Sequence, residues 1–244
     1  MDQPAPFPTH RLAQPGDPPL DASGDMWVFA YGSLIWRPGF AHAGRQRALL
    51  RGWHRSFCLW SHRYRGTPER PGLVLALDRG GACHGVAFRV PGHHAREVLH
   101  YLDDRELPDG AEIVYHRRLV PVRLLDGPGV AAPEARGAIT VPAVAYVVNR
   151  GSRHYAPRLP PERCAEVIAR GVGEMGSNRD YLLNTLDHLA ELGVRDAGLA
   201  RIAALLPAIH SLPPGAAGHP APAPGCAKPL ETDSVLDARS VTNQ

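Results

Sequence analysis

Segments rich in β-branched and aromatic residues dominate the first 150 positions of the chain, and they limit its fold more than any other feature. Gly, Pro or Asp bounds each segment, which is typical of strands that end in turns. We therefore predict a β-sheet formed by the first half and the middle of the chain. The six segments are MWVFA (26–30), GWHRSFCLW (52–60), GLVLALD (72–78), CHGVAFRV (83–90), EIVYHRRLVPVRLL (112–125) and AITVPAVAYVVN (138–149).

Apolar residues with helical spacing occur in three further segments. Residues 95–102 carry this spacing between two predicted strands, and residues 164–171 and 182–189 carry it after the last strand. Ser177 is a candidate N-cap for the last helix, and Gly193 is a candidate stop. Because strands come first and helices interrupt and follow them, the order favours an α+β fold with a bent, barrel-like mixed sheet over a regularly alternating βαβ fold.

Both ends of the chain lack a periodic apolar pattern. Residues 1–24 contain six prolines, and residues 212–244 open with the run LPPGAAGHPAPAPG. Such compositions cannot bury enough apolar surface to order a chain. We predict disordered tails at 1–24 and 212–244 and one domain at 25–211.

Charge and cysteine content limit the partners of the chain. The 27 basic and 24 acidic residues leave a net charge of +3, too small to imply nucleic acid or membrane as an obligatory partner. The four cysteines form no CxxC pair, which argues against a zinc knuckle or a disulfide framework. With no signal peptide and no bilayer-spanning apolar stretch, we expect a soluble cytoplasmic protein.

The stretch VFAYGSLIWRPGF (28–40) ends a predicted strand in an aromatic and glycine-rich turn. Gly32 lets a ligand approach the main chain, and the N–H groups of Ser33 and Leu34 need no strand partner. A strand-end turn of this kind is a receptor for an anion or an oxyanion. The alternative is a tight loop in which Tyr31 and Trp36 only fill the core.

Acidic residues follow the first helical pattern in LHYLDDREL (99–107), where Asp103, Asp104 and Glu106 lie within four positions. Three carboxylates so close cannot all be buried. A carboxyl group withdrawn from water near the turn would have a raised pKa, which suits a general base. The alternative is a solvated helix end.

Five motifs, in this order and at these separations, resemble the ChaC-like family of γ-glutamylcyclotransferases, whose members cleave glutathione. The resemblance covers about residues 26–206 and includes the late LGVRDAGL (192–199). It implies a barrel-like α+β fold of the γ-glutamylcyclotransferase type. The motifs are VFAYGSLIWRPGF, RGTPERPGLVLAL, GVAFRV, YLDDRE and GEMGSNRDYL.

The resemblance also implies roles for particular residues. The turn would hold the γ-glutamyl group, Glu106 would be the catalytic base, and Tyr181 would complete the pocket. The substrate's own α-amino group would attack its γ-carbonyl, releasing 5-oxoproline and Cys-Gly without a cofactor or metal. The implied substrate-binding residues are Tyr31, Gly32, Ser33, Leu34 and Tyr181.

One departure from the family pattern leaves the substrate open. Relatives commonly carry a Gly and Tyr pair shortly after the catalytic Glu, whereas RELPDGAEIVY places Gly110, Ala111 and Glu112 there, with Tyr115 the nearest tyrosine. Alternative functions are cyclisation of another γ-glutamyl peptide or amine, and a binding module without turnover. A passive pocket needs no base, so Glu106 argues against the second alternative.

Other chemistries have weaker support in the sequence. Ser33 lacks the second glycine of a GxSxG nucleophile elbow, and the adjacent His93 and His94 do not have the HExxH spacing. GVGEMGSN (171–178) lacks the GK[ST] element of a phosphate loop. Arg65 and Gly66 are predicted to shape the mouth of the pocket or to lie in a solvated loop.

Overall fold

The computed structural model describes residues 18–106, 112–125 and 139–207. In this part of the chain, long strands close into a barrel with the order β1-β3-β2-β4-β5. β5 lies parallel to β1 and β3, and the other neighbouring pairs are antiparallel. The barrel strands are β1 (Met26–Ala30), β2 (Gly44–Ser61), β3 (Gly72–Val90), β4 (Tyr115–Leu124) and β5 (Thr140–Val148).

Helices interrupt and follow these strands, which confirms the predicted α+β order. A short 3₁₀ helix (Ser33–Ile35) follows β1. A hairpin of two strands, each two residues long, joins the second α-helix to the third. Ser177 caps α3 by accepting a hydrogen bond from the backbone N–H of Asp180. The remaining elements are α1 (Gly92–Glu106), α2 (Pro161–Arg170), β6 (Val172–Gly173), β7 (Gly176–Ser177), α3 (Asn178–Glu191) and α4 (Ala197–Ala204).

Two of the predicted strands are in fact one, since β3 runs without a break from the third sequence segment into the fourth. Gly80 and Gly81, with φ of 101° and 68°, lie in the middle of this strand. Gly52 in the paired strand β2 also has a positive φ, and the register shifts at this point. The glycines therefore bend the hairpin of β2 and β3 instead of ending a strand, which curves the sheet toward closure.

The apolar core has two parts. One cluster lies between the sheet and the helices and includes the buried faces of α1 to α4, while the second contains strand residues and Tyr31. Side chains of β1 alternate between the clusters, with Val28 in the first and Phe29 in the second. β1 is thus buried on both faces, which holds the turn after it in a fixed position.

The predicted tails at 1–24 and 212–244 lie outside the described residues, except for residues 18–24. In this short segment Asp21 accepts hydrogen bonds from the backbone N–H of Ser23 (2.8 Å) and the indole Nε1 of Trp27 (2.7 Å). Asp21 therefore attaches the segment to β1. Within the described ranges, no helix has both the length and the apolar character needed to cross a membrane.

Candidate active site

The turn after β1 presents main-chain donors. Gly32 precedes the 3₁₀ helix as its N-cap residue, and its carbonyl accepts from the N–H of Ile35 at 2.9 Å. The N–H groups of Gly32, Ser33 and Leu34 form no hydrogen bond with another described residue. The Leu34 side chain is buried in the first core cluster, so this residue can offer only its backbone to a ligand.

The acids of YLDDRE belong to the last turn of α1, where they have three different environments. Asp104 is exposed and pairs with His100 at 2.9 Å. Asp103 pairs with Arg117 and accepts from the hydroxyl of Tyr146 at 2.7 Å. Glu106 ends the helix, and its side chain is only 19% exposed. The buried helix face of Ala95, Val98, Leu99 and Leu102 sets this orientation by packing against the core.

Arg105 connects the end of α1 to the turn. Its Nη2 donates to Ser33 Oγ at 3.0 Å, and its Nη1 donates to the carbonyl of Arg37 and the hydroxyl of Tyr101, both at 3.1 Å. Its Nε lies 3.4 Å from Glu106 Oε1. One guanidinium thus brings the predicted base next to the predicted substrate-binding turn. We did not single out Arg105 in the sequence, although its position before Glu106 is a usable signal.

Burial controls the protonation of Glu106 and its neighbours. It raises the pKa of Glu106, and the positive charge of Arg105 acts in the opposite direction. Burial also raises the pKa of Tyr31 and Tyr115 well above the usual range, and that of Tyr181 to about 12. The negative charge of Glu106 adds to each of these three shifts. The site therefore combines one proton-accepting carboxylate with three neutral phenols.

Tyr181 reaches the turn from α3. A Cβ placed on Gly32 would lie 3.3 Å from its hydroxyl, so the glycine lets the phenol approach the main chain. Phe57 packs against the ring edge-on at 5.9 Å between centroids, and the guanidinium of Arg65 lies 4.8 Å from the ring centre. The fold thus brings Tyr181 to Gly32, and its role in completing a substrate pocket stays a prediction.

Tyr31 does not present its side chain at the surface for a ligand to bind. Its side chain is buried, and its hydroxyl donates to the main-chain carbonyl of Tyr146 at 2.8 Å. With this hydroxyl already engaged, Tyr31 has no second proton to donate to a ligand. Ser33 Oγ accepts from Arg105 and, within the described residues, has no hydrogen bond to a histidine, so the arrangement of a serine nucleophile is not formed.

Glycines allow close backbone packing around Arg65, whose guanidinium lies against the Tyr181 ring. A Cβ on Gly72 would lie 2.0 Å from the carbonyl oxygen of Arg65, and one on Gly66 would lie 2.1 Å from the nitrogen of Gly72. The buried side chain of Asn178 then pairs with both backbone groups of Leu73, each at 2.7 Å. Sequence reasoning missed Asn178, although its place at the start of a capped helix could have identified it.

The predicted mouth residues have structural contacts. Arg65 Nη1 donates to the carbonyls of Met175 (2.5 Å) and Ser177 (3.3 Å) and so fixes the β6–β7 hairpin, and Gly66 is buried. Gly110 and Ala111, from the altered segment after Glu106, lie outside the described residues. Glu112 accepts from Ser152 Oγ at 2.7 Å. The hydroxyl of Tyr115 donates to the carbonyl of Leu75 at 3.0 Å.

Two other kinds of site, a metal centre and a second groove, have little support in the described residues. No group of three or more His, Cys, Asp or Glu residues is arranged there to hold a metal ion. A separate groove of about 410 Å³ opens between strands of the barrel, but it contains no carboxylate, thiol or hydroxyl group. Its lining residues are Gly52, Trp53, Arg79, Arg118, Leu119 and Val120.

Comparison with known proteins gives consistent matches. The sequence pattern of the family described as ChaC-like protein matches residues 26–208. A glutathione-specific γ-glutamylcyclotransferase of Escherichia coli (strain K12) is 34% identical over 176 residues, which are 72% of this chain and 70% of that protein. A glutathione-specific γ-glutamylcyclotransferase 1 of Mus musculus is 32% identical over 192 residues, covering 76% and 78% of the two chains.

A solved structure shows the same fold. The crystal structure of a glutathione-specific γ-glutamyl cyclotransferase from yeast matches with a TM-score of 0.64 and 23% sequence identity. The match covers 75% of this chain and 97% of the yeast chain. The predicted fold class is therefore confirmed by both the strand order and the structural match.

Proposed function

The chain belongs to the ChaC-like protein family, and from this membership and the site geometry we propose that it is a glutathione-specific γ-glutamylcyclotransferase. The observation that carries the proposal is a buried carboxyl group with a raised pKa, Glu106, joined through Arg105 to a turn with free backbone donors. Relatives that bear this name are 34% and 32% identical to the chain over the aligned residues, which supports glutathione as the substrate.

The reaction is an intramolecular acyl transfer. The α-amino nitrogen of the glutamyl group forms a bond to the γ-carbonyl carbon, and the bond from that carbon to the cysteine nitrogen breaks. The products are 5-oxoproline and Cys-Gly. Because nucleophile and electrophile belong to one molecule, the protein must mainly hold the folded conformation, and orientation of this kind removes several kcal/mol from a barrier. The substrate supplies its own nucleophile, so no step calls for a covalent intermediate with the protein.

Glu106 moves the proton. The substrate arrives as an α-ammonium ion, and the carboxylate accepts a proton from it so that the free amine can attack. The protonated carboxyl then donates to the departing nitrogen of Cys-Gly, which restores the carboxylate, and the second proton of the attacking amine is taken up by the released Cys-Gly amine, which leaves as an ammonium ion. A raised pKa makes the carboxylate a stronger base than an ordinary glutamate in the first transfer, and the charge of the nearby Arg105 limits the rise.

The turn holds the glutamyl end of the substrate. The N–H groups of Gly32, Ser33 and Leu34 have no hydrogen-bond partner among the described residues and suit a negatively charged oxygen. Tyr181, whose pKa is raised to about 12 by burial, keeps its proton and can donate its hydroxyl to the same group beside Gly32. Tyr31 forms a wall of the pocket.

The direct test is release of 5-oxoproline from reduced glutathione by the purified full chain, with the Glu106→Gln protein in parallel. We expect release by the wild type and almost none by the variant, since glutamine keeps the shape and removes the base. Turnover by a folded Glu106→Gln protein near the wild-type rate would refute the role of Glu106. A folded wild type without activity would refute glutathione as the substrate.

The altered segment after Glu106 makes a substrate panel informative. A second γ-glutamyl dipeptide and a γ-glutamyl amine should be assayed beside glutathione at equal concentration. We expect the highest kcat/KM with glutathione. A preference for either of the other compounds would assign the same chemistry to a different leaving group, and binding of all three without turnover would indicate a binding module.

We also propose that residues 25–211 are sufficient for catalysis and that the protein acts in the cytoplasm. The family match at 26–208 and the three buried free thiols, Cys58, Cys83 and Cys164, support these proposals. Deletion of residues 1–17 with 212–244 should leave activity and Tm unchanged. Deletion of 1–24 should retain activity with a lower Tm, because it removes Asp21 from Trp27. Loss of activity in the first deletion, or recovery of the protein in a secreted fraction, would contradict these proposals.

A further inference from the structure

A buried ion pair supports the peptide unit between Tyr31 and Gly32. Arg55, on β2, has a side chain that is only 2% exposed. Its Nε donates to the carbonyl of Tyr31 at 2.5 Å, and its Nη2 donates to the carbonyl of His84 at 2.6 Å. Its Nη1 lies 2.7 Å from Asp196 Oδ2. The guanidinium therefore joins the turn to β3 and to the start of α4.

Asp196 has two functions in this arrangement. Its Oδ1 accepts from the N–H of Leu199 at 3.1 Å and so caps α4, while its Oδ2 pairs with Arg55. A buried guanidinium without a counter-charge would be strongly destabilising, so the carboxylate keeps Arg55 in place. Asp196 is the aspartate of LGVRDAGL, the late motif to which the sequence assigned no role.

The geometry of a peptide bond connects this support to the substrate. The carbonyl of Tyr31 and the N–H of Gly32 belong to one planar trans unit, in which the two groups point in opposite directions. Because Arg55 holds the carbonyl, the N–H of Gly32 is directed away from Arg55 and remains free of an internal partner. Rotation of this unit would replace a donor by a carbonyl oxygen, which repels an anion.

We propose that Arg55, held by Asp196, is a positioning residue that keeps the Gly32 N–H directed at the glutamyl group of the substrate. This inference rests on the proposed function for its kinetic consequence, but the orientation of the peptide can be observed independently. Because the N–H binds the glutamyl group equally before and during reaction, loss of the support raises KM and leaves kcat nearly unchanged.

The variants separate positioning from stability. Arg55→Lys keeps the positive charge and removes the planar fork that reaches three acceptors. Asp196→Asn keeps a good N-cap residue and removes the charge. Ile202→Ala is the matched control, because it weakens the packing of α4 without touching Arg55. Urea or thermal unfolding of the full-length proteins gives the stability of each variant.

We expect KM for reduced glutathione to rise roughly tenfold or more in Arg55→Lys, with kcat within about threefold of the wild type. Asp196→Asn should shift KM in the same direction by a smaller factor. Ile202→Ala should lower Tm and leave KM unchanged. A wild-type KM in Arg55→Lys would overturn the inference. Should that protein fail to fold, a wild-type KM in Asp196→Asn would do the same.

A crystal structure of the Arg55→Lys or Asp196→Asn protein distinguishes this inference from the proposed function. If the wild type releases no 5-oxoproline, the proposed function fails, and the orientation of the Tyr31–Gly32 peptide still decides the question. A rotated peptide in the variant supports the positioning role. A peptide that keeps the wild-type orientation without the fork or the counter-charge overturns it.

Discussion

Asp78 and Glu106 are carboxyl groups withdrawn from water, and their surroundings have opposite effects on them. Asp78, on β3, accepts from the N–H of Arg79 (2.8 Å), Nε of Arg150 (2.6 Å) and the hydroxyl of Tyr155 (2.9 Å). Burial alone would raise its pKa, but the hydrogen bonds and the charge of Arg150 outweigh burial and lower it. Glu106 has burial as its main influence and only Arg105 against it, so its pKa is raised.

The comparison shows that the balance between burial and hydrogen-bond donors decides the pKa of a carboxyl group withdrawn from water. Asp78 has three donors and a lowered pKa, whereas Glu106 has only the charge of Arg105 against burial and a raised pKa. A carboxylate with several good donors is stable as an anion and does not exchange protons near neutral pH. Among the described residues Glu106 has no such set of donors, which suits it to proton transfer.

The largest effect is expected from Glu106→Gln. General acid or base groups contribute about 10²- to 10⁴-fold, so kcat should fall about a thousandfold while the free energy of unfolding stays close to the wild-type value. The assay is 5-oxoproline release, and Asp78→Asn is the matched control, which should keep kcat per folded molecule. Equal losses of kcat in the two variants would show that the comparison is wrong.

The second effect concerns stability. Asp78→Asn removes the charge opposite Arg150 and leaves one oxygen for three donors, which should lower the free energy of unfolding by about 1–3 kcal/mol. The value should stay below that of a fully buried ion pair because Arg150 is 47% exposed. Urea unfolding measures it. A Tm equal to that of the wild type would show that the Asp78 contacts contribute little.

A smaller effect is expected from Tyr181→Phe, which removes the hydroxyl beside Gly32 and keeps the ring between Phe57 and Arg65. One hydrogen bond to the substrate would account for a rise in KM of about three- to tenfold. Steady-state kinetics with reduced glutathione gives the value. Phe57→Leu serves as a control, since it changes the packing around the ring but keeps the hydroxyl. An unchanged KM in Tyr181→Phe would restrict Tyr181 to a packing role.

The sequence predicted the fold class and most of the strands, because these depend on local patterns, whereas Glu106 as the base comes from the family resemblance and stays a prediction. Alternation, helical spacing and the order of the motifs are visible in short stretches, and Glu106 and the turn lie in two of them. The continuous β3 was missed because Gly80 and Gly81 are typical of a turn, and only pairing with β2 shows that they form a bend.

The supporting contacts could not be predicted because they join distant parts of the chain. Arg55 is 141 residues from Asp196, and Asn178 is 105 residues from Leu73. Asp78 was included in a strand segment without a role, since its partner Arg150 lies 72 residues further on. Periodicity reports which face of an element is buried, but it does not report which polar groups meet across the barrel.

The smallest effect, and the one that compares the two carboxyl groups most directly, is their opposite influence on stability as pH changes. Glu106 has a raised pKa, so its contribution is complete below the ordinary value of 4.5 and is lost as pH rises through the folded-state pKa. Asp78 has a lowered pKa, so its contribution is present above the ordinary value of 3.8 and is lost as pH falls through the folded-state pKa. From about pH 3 to pH 7, the stability of the wild type should therefore fall relative to Glu106→Gln and rise relative to Asp78→Asn. Urea unfolding of the three proteins across this range measures both differences, and trends of the same sign would mean that the two carboxyl groups are not in opposite environments.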